Sequence, residues 1–87
     1  MSVSAAEIEA ALRDALAPDA LAVVDDSHLH AGHAGAREGR HFSVSVTSRR
    51  FEGLSRVERH RLVNETLKGA FERGLHALAI QAKAPGE

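Results

Sequence analysis

Apolar residues along the chain change period several times, and each change marks an element. Ile8, Ala11, Leu12, Ala15 and Leu16 recur at three- and four-residue spacing among Glu9, Arg13 and Asp14, which predicts an amphipathic helix about three turns long. Ser4 followed by Glu7 has capping-box spacing and starts it; Pro18 stops it. Leu21 to Val24 is too short for a helix and rich in β-branched residues, so a first strand is expected at 21–26. From Ser27 to Arg40 periodicity is lost, and Gly32, Gly35 and Gly39 mark a long loop.

Strict alternation returns at His41 to Ser48. Phe42, Val44 and Val46 share one face, and His41, Ser43, Ser45 and Thr47 the other, the pattern of a half-buried strand. Arg49 to Leu54 reads as a turn. Ser55 and Glu58 repeat the capping-box spacing and open a second helix, with Val63, Leu67, Ala70 and Phe71 as its stripe and Gly74 closing it. His76 to Ala82 predicts a third strand, with Leu78 and Ile80 on one side and Ala77, Ala79 and Gln81 on the other. A tail follows from Lys83 to Glu87.

The order α-β-β-α-β pairs the first two strands antiparallel across the loop. The helical crossover makes the second and third parallel. Since only one face of the second strand is apolar, both helices should cover that face. The expectation is a two-layer α+β domain, a three-stranded mixed sheet with its other side wet, spanning 1–87 with an ordered core at about 4–83.

Composition narrows the function. The 87 residues allow one domain, and 44% hydrophobic with 26% charged residues suits a folded globule. Eleven basic against twelve acidic residues leave a net charge of -1, so no global field draws the chain to nucleic acid or an anionic membrane. The absence of Cys removes disulfides, thiolate sites and a cysteine nucleophile, and suits a reducing compartment. With no long apolar run and no signal-like start, a cytoplasmic location is expected. There is no phosphate loop and no Ser elbow, and an enzyme is not expected.

Histidine is the unusual component. Of six, His28, His30 and His33 fall in one Gly- and Ala-rich stretch, where adventitious Zn or Ni binding is expected but a closed structural zinc site is not. His41 reads as structural or solvated on a polar strand face, and His60 as partly buried at the edge of the second helix's stripe. The other concentration is basic. Arg49, Arg50, Arg56, Arg59 and Arg61 lie within 13 residues, interrupted by Glu52 and Glu58.

Taken together, Val24-Asp25-Asp26-Ser27, HAGHAG at 30–35, His41-Phe42, Phe51-Glu52-Gly53, the run from Val57 to Asn64 and His76-Ala-Leu-Ala-Ile80 resemble the BolA family over about Ile8 to Pro85. The resemblance implies a class II KH-like fold with a short helical turn near Phe51 to Leu54. It further implies a heterodimer with a monothiol glutaredoxin that holds a bridging [2Fe-2S] cluster, used in iron-sulfur trafficking or iron sensing. His76 matches the family's shared C-terminal ligand. The second ligand would come from the loop, where His30 is preferred and His33 remains the alternative. The glutaredoxin cysteine and glutathione would supply the sulfurs, so the isolated chain should hold no cluster tightly. Imidazole ligation is proton-sensitive near about pH 6 to 7, and the cluster should weaken on mild acidification. The family's alternative role is transcriptional control, with the Arg-rich second helix meeting DNA. No KH-type Gly-x-x-Gly loop lies between helices, which disfavours KH-type RNA recognition. A weak homodimer of the free chain is left open.

Overall fold

A computed structural model of the chain describes residues 3–26 and 40–87. Helix α1 spans Ala5–Leu16 and buries Ile8, Leu12 and Leu16 along one stripe. Ser4 caps it by accepting from the Glu7 N–H at 3.2 Å. Only that half of the expected capping box forms. The Glu7 carboxylate instead accepts from Arg73 Nη2 at 2.6 Å, tying the start of α1 to the chain ahead of the last strand. The helix closes at Ala17, which sits in the left-handed region at φ 42, ψ 56 and donates its N–H to the Arg13 carbonyl. Pro18 therefore follows the stop that Ala17 makes.

Strand β1 (Ala20–Asp25) runs antiparallel to β2 (Arg40–Thr47), and β2 runs parallel to β3 (Leu75–Lys83), giving the order β1-β2-β3. The alternation of β2 is kept: Phe42, Val44 and Val46 are buried beneath the helices, while Ser45 is exposed on the opposite face. Each such fully buried side chain contributes roughly 1.5–3 kcal/mol from area removed from water. Phe51, Val63, Leu67 and Leu75 complete this core with the α1 stripe.

Beyond β2 a 3-10 turn at Arg49–Phe51 drops Phe51 into the core. It begins two residues earlier than the resemblance implied because Ser48 caps it, accepting from the Arg50 N–H at 3.1 Å. Ser48 is itself fully buried and donates to the Leu16 carbonyl at 2.6 Å, while its own N–H reaches the Lys83 carbonyl at 2.9 Å. One hydroxyl and one amide thus join the ends of α1, β2 and β3.

The second predicted helix is two helices. Helix α2 (Arg56–Thr66) starts with the full capping box between Ser55 and Glu58, and α3 (Lys68–Glu72) follows after Leu67 at φ -98, ψ 15. Thr66 donates its hydroxyl to the Leu62 carbonyl at 2.8 Å, a back-bond that bends helices, and Gly69 is a weak helix former just beyond. The break redirects the stripe. Leu67 and Ala70 stay buried, but Phe71, expected among them, is 36% exposed. Gly74 takes φ 113, which a side chain would strain, and leads into β3.

Candidate functional site

The parallel register between β2 and β3 slips once. Arg40 pairs with Leu75 and His41 with Ala77, so His76 is the extra residue of a β-bulge. Its consequence is a change of face. Leu75 and Leu78, three apart in sequence, both turn toward the helices, which strict alternation forbids. His76 is left exposed at the sheet end, beside His41 with ring centroids 5.2 Å apart and planes at 56°. His41 is half-buried, with Nε2 out of contact with solvent.

The same end of the sheet holds both anchors of the β1–β2 connection. Asp26 follows β1 and donates its N–H to the His41 carbonyl at 2.8 Å, and its carboxylate accepts from the Ser43 hydroxyl. Arg40 opens β2 opposite Leu75, the residue before His76. A shallow depression here is lined by Asp26, His41, Ser43, Ala77 and Ala79. His28, His30 and His33 belong to the connection and lie outside the described residues. Among the described residues no cluster of three or more His, Asp or Glu is arranged to hold a metal ion.

Sequence reading placed His76 at the start of a strand but missed the bulge and the His41 ring beside it. Alternation gave His41 the correct face, yet nothing in one strand's pattern reveals the register of its neighbour. His60 is partly buried, as its helix position implied.

The five arginines do not form one free patch. Arg49, Arg50, Arg56 and Arg61 are exposed, and Arg50 reaches back to the Ala15 carbonyl at 3.3 Å. Arg59 is engaged. Its Nε donates to the Leu54 carbonyl at 3.0 Å and Nη1 to that of Ala82 at 3.3 Å, while Nη1 and Nη2 clasp the two Glu87 oxygens at 2.5 and 2.8 Å. The Arg59 guanidinium, joined by the Ala84 N–H, holds the Glu87 carboxyl down at about 2. The same pair raises Arg59 above its ordinary value. A grip on phosphate by this arginine is therefore blocked while Glu87 is bound.

The element order and the single covered sheet face define a small two-layer α+β domain with a histidine-bearing end. The model of the BolA-like protein family matches residues 12–87, and this chain belongs to that family. It is 46% identical over 90 residues to BolA-like protein 1 of Mus musculus, covering 99% of this chain and 64% of that protein. It is 45% identical over 73 residues to the DNA-binding transcriptional regulator BolA of Vibrio cholerae, covering 84% and 67%. The solved structure of BolA1 from Arabidopsis thaliana superposes with a TM-score of 0.82 at 40% identity, covering 98% of this chain and 95% of that one. The chain spans less than two thirds of the mouse relative's length. Neither the mouse nor the Vibrio relative carries an enzyme's name. No helix among the described residues is long and apolar enough to cross a membrane.

Proposed function

We propose that this BolA-like domain is an accessory protein, not a catalyst, that pairs with a monothiol glutaredoxin and supplies His76 and one loop histidine to a bridging [2Fe-2S] cluster. The observation that carries this reading is the position of His76. A bulge exposes it at the sheet end where the chain re-enters from the segment bearing His30 and His33. An exposed imidazole is a suitable donor for iron, whereas the described residues offer no closed set of ligands that would complete a site within this chain. Covalent geometry limits the gap that must be closed. A chain spans up to about 3.5 Å per residue, so His30, four residues beyond Asp26, has a reach of about 14 Å, against two strand spacings totalling roughly 10 Å.

With two imidazoles on one iron, the cluster would have a reduction potential above that of an all-thiolate one. The chain's own contribution is positional. The sheet fixes the backbone of His76, the His41 ring limits its orientation, and the segment between β1 and β2 brings the second nitrogen. His30 is the preferred second ligand and His33 the alternative. A chain without thiols fits a reducing compartment, and we place the complex in the cytoplasm.

The test is reconstitution of the full chain with a monothiol glutaredoxin, iron, sulfide and glutathione, followed by visible absorption. Loss of the cluster bands in His76→Ala, and in either His30→Ala or His33→Ala, is expected. Unchanged bands after both His30 and His76 are replaced would sink the assignment.

A second reading, DNA binding through Arg49, Arg56 and Arg61, is favoured by the name of the Vibrio relative and by the exposure of these side chains. Three phosphate contacts give a shallow salt dependence, a slope of about -3 in log affinity against log salt. A flat salt series with a DNA duplex would dispose of it.

A further inference from the structure

A groove of about 460 Å³ runs between the first turns of α2 and β3, away from the histidine end of the sheet. It is lined by Leu54, Arg56, His60, Ile80 and Lys83, with Arg59 and Glu87 meeting inside it. Arg59, His60, Arg56 and Lys83 give it a basic wall, and among the described residues Glu87 is the single acid that lines it.

Arg59 is built in as a fixed fork. Its side chain is 13% exposed and held by the Leu54 and Ala82 carbonyls, so its Nη groups present a bidentate seat that matches a carboxylate. Glu87 takes that seat from a short turn. Its N–H donates to the Ala84 carbonyl at 3.2 Å, and its Oε1 also accepts from the Ala84 N–H at 3.1 Å. The occupant is half exposed and local, while the seat is rigid.

The groove also borders a strand edge that pairs with no other strand among the described residues. Strand β3 is the last in the sheet, and backbone groups of successive strand residues turn to opposite edges. The Lys83 carbonyl faces β2, where it accepts from Ser48, whereas the Ala82 carbonyl faces the groove, where it accepts from Arg59. By that alternation Ile80 turns its N–H and carbonyl to the groove as well. An edge that turns the Ile80 N–H and carbonyl outward beside a carboxylate seat fits an extended acidic peptide, which adds as a short strand and anchors one side chain.

We infer that the α2–β3 groove is a binding site for an acidic peptide segment, kept closed in cis by Glu87, whose place on Arg59 a carboxylate of the peptide takes. The inference does not depend on cluster binding, since the groove and the histidine end share no residue. A tethered competitor lowers the apparent affinity of any outside ligand for the same seat, and its removal restores it.

The test uses the full chain labelled with 15N, an acetylated hexapeptide of alternating valine and glutamate, and its valine–glutamine counterpart. Glu87→Gln removes the charge and keeps an acceptor for the Ala84 N–H, so the turn is retained, with circular dichroism as the check on folding. The acidic peptide should bind Glu87→Gln about tenfold tighter than the wild type and shift the amides of Ile80, Ala82 and Arg59. The glutamine peptide should not. Equal binding of both peptides, no gain in Glu87→Gln, or shifts confined to the His41 and His76 end would each overturn the proposal. Inorganic phosphate alone reproducing the Arg59 shift without the strand-edge shifts would also overturn it, in favour of a small-anion site.

Discussion

The rings of His41 and His76 lie 5.2 Å apart between centroids although 35 positions separate them in sequence, and the parallel pairing of β2 with β3 brings them together. Without the bulge, the register that pairs Arg40 with Leu75 would set His76 opposite His41 and turn both Leu75 and Ala77 to one face. With it, Leu78 joins Leu75 on the core side and His76 stands outside the ladder at the sheet end. The arrangement joins packing to function, because the slip that turns Leu78 toward the core is also the one that sets His76 outside the ladder.

This contact predicts a spectroscopic coupling. His41→Ala should shift the ring-proton resonances of His76 in the NMR spectrum of the free chain, with the fold retained, because it removes the ring-current field of an aromatic ring 5.2 Å away. In the reconstituted complex the same variant should shorten the lifetime of the cluster bands without abolishing them, unlike His76→Ala. Identical His76 resonances in wild type and variant would mean that the rings do not meet in solution.

Most of the fold was legible because β2 and α1 each repeat a single period without interruption. Phe42, Val44 and Val46 needed only alternation, and Ile8, Leu12 and Leu16 only helical spacing. What escaped came from contacts between elements. Glu7 has a local partner in Ser4 by sequence spacing, yet Arg73, 66 residues away, takes its carboxylate. Phe71 continues the stripe of Val63 and Leu67 only if the helix is unbroken, and it breaks at Leu67, one residue after the Thr66 back-bond. At the candidate site the identity of His76 was legible, but its neighbour depended on the pairing register of two strands, which no single strand records. Arg59 looked like one cation among five until Glu87 was seen to occupy it.

Ser48 reads as an ordinary strand-end serine, and its burial makes it costly to replace. Ser48→Ala leaves the buried Leu16 carbonyl without its donor and the Arg50 N–H without its cap, a loss of about 1–3 kcal/mol. Urea unfolding followed by circular dichroism measures it. A change below about 0.5 kcal/mol, the range of ordinary surface substitutions, would mean that the hydroxyl does not hold the three ends together.

Ala17 carries the opposite expectation. Its left-handed conformation costs an L-residue about 1–2 kcal/mol, and glycine gives back part of that through greater freedom in the unfolded chain. Ala17→Gly should therefore stabilise the protein by about 0.5–1 kcal/mol, read as a higher urea midpoint at unchanged slope. A destabilisation would show that the helix does not close at this residue.

The Arg59–Glu87 clasp makes part of the stability depend on acid. In the folded chain the Glu87 carboxyl titrates at about 2, against an ordinary value of 4.5. Below its unfolded value a depressed carboxyl binds fewer protons folded than unfolded, so its contribution is present above about pH 4.5 and is lost as pH falls toward 2. Glu58, lowered chiefly by its bond from the Ser55 N–H, acts in the same sense. Glu87→Gln should be less stable than the wild type at neutral pH, and the gap should narrow across this window while the Glu58 share of the slope remains in both. The pair is exposed on its Glu87 side, so added salt should shrink the gap as well. Urea midpoints at pH 7, 5, 4, 3 and 2.5, each at low and high salt, check both statements. Parallel curves for wild type and variant from pH 5 to 2.5 would mean that Arg59 does not hold the Glu87 carboxylate in the folded chain.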